Sequence, residues 1–234
     1  MEVVVNHLTR MRTQERICVA GVDVARGTHV RPITSRSDLL TRDLLSENGG
    51  PLEVAAVVDI GEAAHTPNPP ETEDHRVRSG DLRMVRMLDG DEYLEVLGNI
   101  ADDDLETAFG SALQRREWKY AIDAGEGDRS LAVVRARRRP ELEIGRYGKL
   151  QLRFNDPDRP AFLSVADVRF VEADHTTIRS SVVDDVRARL RRGVAAYVMF
   201  GLARAFRAIG DDQDRHWLQV NGLCLEDRPV GDTP

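Results

Sequence analysis

The segment Glu71-Thr72-Glu73-Asp74-His75 places three carboxylates and an imidazole within five residues. Such a group can bind a divalent cation or transfer protons in acid–base catalysis. In an extended chain Glu71, Glu73 and His75 share one face, and Asp74 lies on the other. The alternative is that these side chains bond to backbone groups and lock their loop against the first half of the fold. We favour this alternative, because loops braced by prolines commonly need such anchors. The other histidines also show no spacing that would complete a metal site.

Two pairs of residues at alternating positions suit contacts to phosphate. Arg10 and Arg12 share one face of an extended chain, as do His29 and Arg31. A planar guanidinium group can bond two phosphate oxygens at once. The alternative is that these arginines form ion pairs with carboxylates from the acidic middle of the chain.

A third pattern, near the C-terminal end, consists of Trp217, Gln219 and Asn221 at alternating positions. On one face of a strand they would offer an indole for stacking and two amides for hydrogen bonds to base edges. Leu218 and Val220 would then point into the core. A shift of one residue in register reverses this assignment and buries the indole instead.

Predicted strands position most of these residues. Apolar, β-branched or short alternating runs predict strands over residues 2–8, 16–24, 28–33, 53–60, 131–135, 142–144, 150–154, 162–165, 194–206 and 216–225. The short connection Ala25-Arg26-Gly27 predicts a hairpin between the second and third strands. Three prolines within residues 66–70 exclude a central strand or a helix there. An extended loop therefore delivers the acidic segment.

Two helices are predicted between the strands. An acidic pair ahead of residue 104 can cap a helix over residues 104–115. In the second helix the spacing of Ser181 and Asp184 resembles a capping box, and Gly193 follows the last turn. Its predicted apolar stripe consists of Val182, Val186 and Leu190.

The composition is that of a soluble globular protein, with 41% hydrophobic and 31% charged residues in a chain of 234. No apolar run is long enough to cross a bilayer, and the N-terminal residues lack the positive charge of a secretory signal. We therefore expect a cytoplasmic protein. Cys18 and Cys224 are expected to be buried thiols, and no CxxC pair is present for zinc.

The net charge of −7 opposes binding to a polyanion, but the charge is segregated along the chain. Residues 1–42 hold seven Arg against four acids (+3), and residues 130–192 hold thirteen Arg and one Lys against nine acids (+5). Residues 43–130 hold eight bases against twenty-one acids (−13). Since the local field guides a polyanion, an electropositive face can coexist with an acidic whole.

Several of these phrases resemble the dual OB domain family, a bacterial group of paired oligonucleotide/oligosaccharide-binding barrels. The matching phrases are Leu8-Thr9-Arg10-Met11, Cys18-Val19-Ala20-Gly21, Val30-Arg31-Pro32, Pro69-Pro70 with Glu73-Asp74-His75, and His216 to Gly222. The resemblance extends from His7 to Glu226. It implies nucleic-acid-binding OB modules of the kind found in bacterial mobile or defence gene neighbourhoods.

We accordingly expect a mostly β fold with a few helices (α+β), made of two small OB-like Greek-key β-barrels packed in tandem. Residues 1–118 would form the first barrel, with the long Pro-rich loop and a helix. Residues 119–234 would form the second barrel, with one inserted helix.

The leading hypothesis is a non-catalytic module that binds single-stranded nucleic acid or a nucleotide, as part of a bacterial defence or mobile-element system. Because no P-loop, GxGxxG, GxSxG or HExxH sequence is present, we expect neither enzyme activity nor a cofactor. The predicted ligand-binding residues are Arg10, Arg12, His29, Arg31, Arg204, Trp217, Gln219 and Asn221.

Two other hypotheses remain open. In the first, the protein is an adaptor whose acidic middle segment docks a protein partner while the barrels act as a scaffold. In the second, it is a metal-dependent hydrolase, with metal-ligand candidates Glu71, Glu73, Asp74 and His75.

Overall fold

A computed structural model of the chain describes residues 1–11, 13, 15–35, 38–155 and 159–230. These residues form three β-sheets with three α-helices between their strands. The predicted mostly β fold with a few helices is therefore confirmed. Within the described part of the chain, no helix is both long and apolar enough to cross a membrane.

The first sheet contains seven strands from the N-terminal part of the chain. They are β1 (Glu2–Arg10), β2 (Ile17–Asp23), β3 (His29–Ile33), β4 (Ala56–Asp59), β5 (Ala64–His65), β6 (Asp74–Arg76) and β7 (Arg83–Met87). Their order across the sheet is β5-β6-β3-β2-β1-β4-β7. The predicted β2–β3 hairpin is present, and Gly27 supplies its positive φ of 65°. β3 and β6 pair in parallel, so the chain between them returns to the same edge of the sheet.

The remaining strands form two further sheets. They are β8 (Ala101–Asp102), β9 (Gln114–Arg116), β10 (Lys119–Asp123), β11 (Leu131–Arg135), β12 (Glu141–Ile144), β13 (Leu150–Asn155), β14 (Pro160–Ser164), β15 (Ala196–Leu202) and β16 (Arg215–Leu225). The larger sheet has the order β8-β11-β15-β16-β10-β9, and β12, β13 and β14 form the smaller one. A parallel bridge between Val165 and Val220 joins the end of β14 to β16.

The helices differ from the sequence prediction in number and length. They are α1 (Gly90–Ile100), α2 (Leu105–Phe109) and α3 (Ser180–Arg191). No helix is predicted from the sequence at α1, although Asp89 and Glu92 form a capping box at its start. α2 ends well before residue 115, because Gly110 adopts a φ of +66° and a short 3-10 turn leads into β9.

α3 lies where it is predicted, but its start differs. It begins one residue before Ser181, after Arg179, which makes no side-chain capping bond, so the predicted capping box is wrong. Its buried positions are Val183, Val186, Arg189 and Leu190. The apolar stripe therefore contains Val183 in place of the predicted Val182, which is half-buried. Gly193 follows the helix with a φ of +86°, as predicted.

Two hydrophobic clusters fill the interior. The first draws mainly on β1 to β4 and α1, and the second on β11, β13 to β16 and α3. Alternating residues of β11 serve both, since Val133 belongs to the first and Val134 to the second. The predicted boundary at residues 118 and 119 falls in the turn between the paired strands β9 and β10. A division into two domains stays a prediction. Both cysteines are free thiols.

Candidate functional site

Motif phrases that lie far apart in the chain meet in one ion-pair cluster, which we call the Arg31 cluster: Arg31, Glu71, Asp74, Arg204 and His216. The buried Arg31 donates from Nε to Asp74 Oδ1 at 2.5 Å, and its Nη2 lies 4.0 Å from Glu71 Oε1. Arg204 donates to Asp74 Oδ2 at 3.1 Å and also pairs with Glu71. His216 Nδ1 lies 3.9 Å from Glu71 Oε1 and 3.0 Å from the Ala203 carbonyl oxygen.

Backbone pairing positions this cluster. Arg31 and Asp74 are direct neighbours in the parallel β3–β6 pair, and the Arg31 N–H donates to the Glu73 carbonyl at 2.8 Å. Arg31, Asp74 and Glu71 therefore belong to β3, to β6 and to the residues just before β6, whereas Arg204 follows β15 of the second sheet. Since a buried charge is tolerated only when it is paired, the buried Arg31, Glu71 and Asp74 depend on one another.

Glu73 ties the acidic segment to the second sheet. Its carboxylate accepts hydrogen bonds from the Ser130 N–H at 2.7 Å, the Ser130 hydroxyl at 2.9 Å and the Leu131 N–H at 3.1 Å. The Thr72 hydroxyl donates to the Asp128 carbonyl at 2.6 Å. The loop is thus anchored to the start of β11 as well as to β3, whereas the sequence favoured anchoring to the first half alone.

The predicted metal-ligand candidates are engaged in other contacts. Glu71 and Asp74 pair with arginines, Glu73 accepts donors from β11, and His75 Nδ1 lies 2.8 Å from the Glu73 carbonyl oxygen. Among the residues that the structure describes, no three or more His, Cys, Asp or Glu side chains are grouped so that they could hold a metal ion.

Arg10 bridges β1 to the segment after β14. It donates from Nη2 to the Val165 carbonyl at 3.3 Å and from Nη1 to the His175 carbonyl. Burial lowers the pKa of its guanidinium group. Arg12, the other predicted member of this pair, lies outside the described residues.

His29 packs edge-to-face against the buried His7, with ring centroids 5.6 Å apart. Both ring nitrogens of His7 and Nε2 of His29 lack a hydrogen-bond partner within the described ranges. Burial, reinforced by the Arg129 charge, lowers the pKa of His29 to about 4. Burial, followed by the charges of His29 and Arg31, lowers the pKa of His7 well below its ordinary value. Both rings are therefore neutral at neutral pH.

Trp217 and Gln219 lie on the face of β16 opposite to the core. Leu218 and Val220 belong to the second hydrophobic cluster, while Trp217 and Gln219 are half-buried. Gln219 Nε2 donates to Asn221 Oδ1 at 2.9 Å, so the two amides are coupled. The Asn221 side chain packs on Gly201. A Cβ atom added at Gly201 would lie only 1.9 Å from the Asn221 Nδ2 atom. Asn221 therefore supports this face from beside Gly201.

Two residues not predicted from the sequence extend this surface. The Lys119 ammonium nitrogen lies 5.7 Å from the centre of the Trp217 ring, and the Phe206 ring centre lies 6.4 Å from it. Phe206 is 47% exposed. We call Lys119, Phe206, Trp217 and Gln219 the Trp217 face. Its assembly depends on the pairing of β10 with β16, in which Ala121 opposes Trp217, and local sequence does not reveal this pairing.

Charges flank the Trp217 face. The Ala203 N–H donates to the Trp217 carbonyl at 2.9 Å, so the Arg204 backbone comes directly after a residue bonded to Trp217, while its guanidinium group pairs with Glu71 and Asp74. Two residues before Trp217 on β16, the buried Arg215 is bonded to Asp123 at 2.8 Å, to Asp212 at 3.0 Å and to Asp211. These carboxylates are partly neutralised by the guanidinium group that they share.

Comparison with known proteins agrees with this architecture. The model of a family described as a dual OB-containing domain matches residues 1–223 of the chain. The matched range includes every residue of the Arg31 cluster and of the Trp217 face. Among curated proteins, none is significantly similar to the chain.

Proposed function

Because the chain belongs to the family of dual OB-containing domains, we propose that it binds single-stranded nucleic acid on the Trp217 face. OB folds bind oligonucleotides and oligosaccharides on the surface of their barrel strands. The observation that carries the proposal is the partly exposed Phe206–Trp217 pair with the Lys119 ammonium over the indole. The predicted place in a bacterial defence or mobile-element system, and in the cytoplasm, stays a prediction.

The chemistry of the face suits an unpaired strand. Aromatic rings stack on any base, and a nearby ammonium group attracts the phosphate that joins two stacked nucleotides. The Gln219 amide uses one N–H in its bond to Asn221. Its other N–H and its carbonyl oxygen can bond to a base edge. Stacking and charge together give binding with little sequence preference.

The predicted ligand-binding residues take two roles in this proposal. Trp217, Gln219 and the 54% exposed Arg204 would contact the strand directly. The buried Arg31 acts by holding Asp74 and thereby the loop that packs beside Arg204. Arg10, His29 and Asn221 are likewise assigned to the supporting structure. Arg31 could reach a phosphate only if its pair with Asp74 opened.

Replacement of Phe206 by Ala should weaken binding of a labelled single-stranded oligonucleotide about tenfold, because one base–aromatic stack contributes roughly 1–3 kcal/mol. Lys119→Gln should weaken binding less, and should make the plot of log K against log salt shallower by about 0.7. Fluorescence anisotropy at several salt concentrations measures both effects.

Tyr147→Ala is the matched control, because Tyr147 is an 84% exposed aromatic residue in the turn between β12 and β13. It should leave the affinity unchanged. If Phe206→Ala and Tyr147→Ala gave the same affinity as the unmodified protein, the Trp217 face would not be the binding surface.

A further inference from the structure

A cleft of about 670 Å³ opens between the first sheet and the start of β11. Its wall is formed by the β2–β3 hairpin, by β5 and β6, and by the residues that precede β11. We call this cavity the histidine cleft. The arginine and histidine side chains that line it are Arg26, His29, His65, His75 and Arg129. None of these residues belongs to the Trp217 face.

Two imidazoles in the cleft form a flat platform. The rings of His65 and His75 are stacked, with centroids 4.7 Å apart and planes 29° from parallel. His65 Nε2 lies 2.7 Å from the Thr72 carbonyl oxygen, and His75 Nδ1 lies 2.8 Å from the Glu73 carbonyl oxygen. These bonds fix both rings, and His65 remains exposed. A planar heterocycle can therefore extend the stack without reorganising the site.

Two arginines line the cleft, and their positive charges can bind an anion. Arg129 is 45% exposed and donates to Asp102 at 3.0 Å, and Arg26 meets Asp23 at 3.5 Å. Both guanidinium groups are exposed although the Asp23 and Asp102 side chains are only 5% and 19% exposed, so a phosphate can bond the guanidinium N–H groups that these carboxylates do not occupy. The Glu73 carboxylate also lines the cleft, but its charge is compensated by three hydrogen bonds from the start of β11.

His29 adds a polar contact without a partner. Its Nε2 has no hydrogen bond among the described residues, although the atom is buried. A buried polar atom in this position is favourable only when a water or a ligand satisfies it. The ring lines the cleft and is neutral at neutral pH, so it can offer a donor or an acceptor to an uncharged base edge.

We propose that the histidine cleft binds a nucleoside phosphate, with its base stacked on the His65–His75 pair and its phosphate held by Arg26 and Arg129. The ligand is either a free mononucleotide or the 5′-phosphorylated end of a strand, since both present the same chemistry. This inference goes beyond strand binding on the Trp217 face and does not depend on it.

Titration of the full-length protein with AMP tests the proposal by calorimetry and by NMR of its six histidine side chains. We expect saturable binding that shifts the resonances of His29, His65 and His75 and leaves those of His175 and His216 in place. Arg129→Gln and His65→Ala should each lower the affinity about tenfold (about 1.4 kcal/mol), since the first removes a phosphate contact and the second removes part of the stacking platform. Binding of AMP that exceeds binding of inorganic phosphate at equal concentration supports the contribution of the base.

Arg86→Gln provides the matched control. Arg86 is 54% exposed and pairs with Glu92 at 2.9 Å, much as Arg129 pairs with Asp102, but it lies on β7 at the opposite edge of the first sheet. This variant should bind AMP as the unmodified protein does. Equal losses in Arg86→Gln and Arg129→Gln would overturn the proposal, as would AMP and inorganic phosphate binding equally, or no saturable binding of AMP.

A pair of oligonucleotides distinguishes the two sources of the ligand. A 5′-phosphorylated strand that competes with AMP, where the 5′-hydroxyl strand does not, identifies the strand end as a ligand of the cleft. Competition by neither strand, with AMP bound, identifies the free nucleotide. A 5′-hydroxyl strand that binds without shifting the resonances of the cleft histidines binds at the Trp217 face alone. Each of the two proposals can therefore be contradicted without the other.

Discussion

Asp74→Asn should lower the free energy of unfolding by about 3–5 kcal/mol, because it leaves the buried Arg31 guanidinium group without its closest counter-charge. Asp74 accepts from Arg31 at 2.5 Å and from Arg204 at 3.1 Å, and both Asp74 and Arg31 are buried. Glu71, 4.0 Å from Arg31, is too distant for a hydrogen bond that would replace the lost one. Urea denaturation followed by circular dichroism measures the change.

Glu92→Gln is the control for this experiment. It removes the charge of an exposed ion pair with Arg86 but keeps an oxygen that can accept from the Asp89 N–H in the capping box. Exposed pairs contribute about 0–1 kcal/mol, so this variant should be close to the unmodified protein. An Asp74→Asn variant as stable as Glu92→Gln would show that the Arg31 cluster does not hold the fold together.

Acid should destabilise the protein well above the pH at which carboxylates are protonated. The folded-state pKa of His29 is lowered to about 4 from an ordinary value of 6.5. The unfolded chain therefore binds a proton at a pH where the folded chain does not, and stability falls as the pH drops below 6.5. From pH 7 to pH 5 this residue alone should account for a loss of about 2 kcal/mol. The lowered pKa of His7 acts in the same direction.

The contribution of His29 can be isolated with His29→Gln. Urea denaturation between pH 7 and pH 5 should show a loss smaller by about 2 kcal/mol in the variant, because glutamine does not titrate. From pH 7.5 to pH 8.5 the two proteins should differ by a constant amount, since His29 is neutral in both the folded and the unfolded chain. Parallel stability curves down to pH 5 would contradict the proposed burial of a neutral His29.

Much of the strand content could be predicted from the sequence, because β-branched and apolar runs act locally. The predicted strand over residues 131–135 coincides with β11, and the β2–β3 hairpin follows from the glycine in its short connection. α1 is absent from the sequence prediction, although its capping box of Asp89 and Glu92 is a local signal. The length of α2 depends on the positive φ of Gly110, which the apolar periodicity of the segment does not reveal.

The candidate site was only partly predictable, because its contacts join residues distant in sequence. The alternative that these arginines pair with acids from the middle of the chain holds for Arg31, whereas Arg10 bonds to carbonyl groups. The parallel β3–β6 pair creates the first of these contacts and has no local signature. Lys119 and Phe206 are unremarkable in sequence, and only the folded chain brings them to Trp217.

Anisotropy titration of labelled single-stranded DNA and RNA, about 20 nucleotides long to span two OB sites, tests the central claim most directly. The account predicts micromolar or tighter binding that weakens as salt rises from about 50 to 200 mM, with a slope near −0.7 for each phosphate contacted. Absence of binding at the lowest salt concentration, or binding that salt does not weaken, would contradict it.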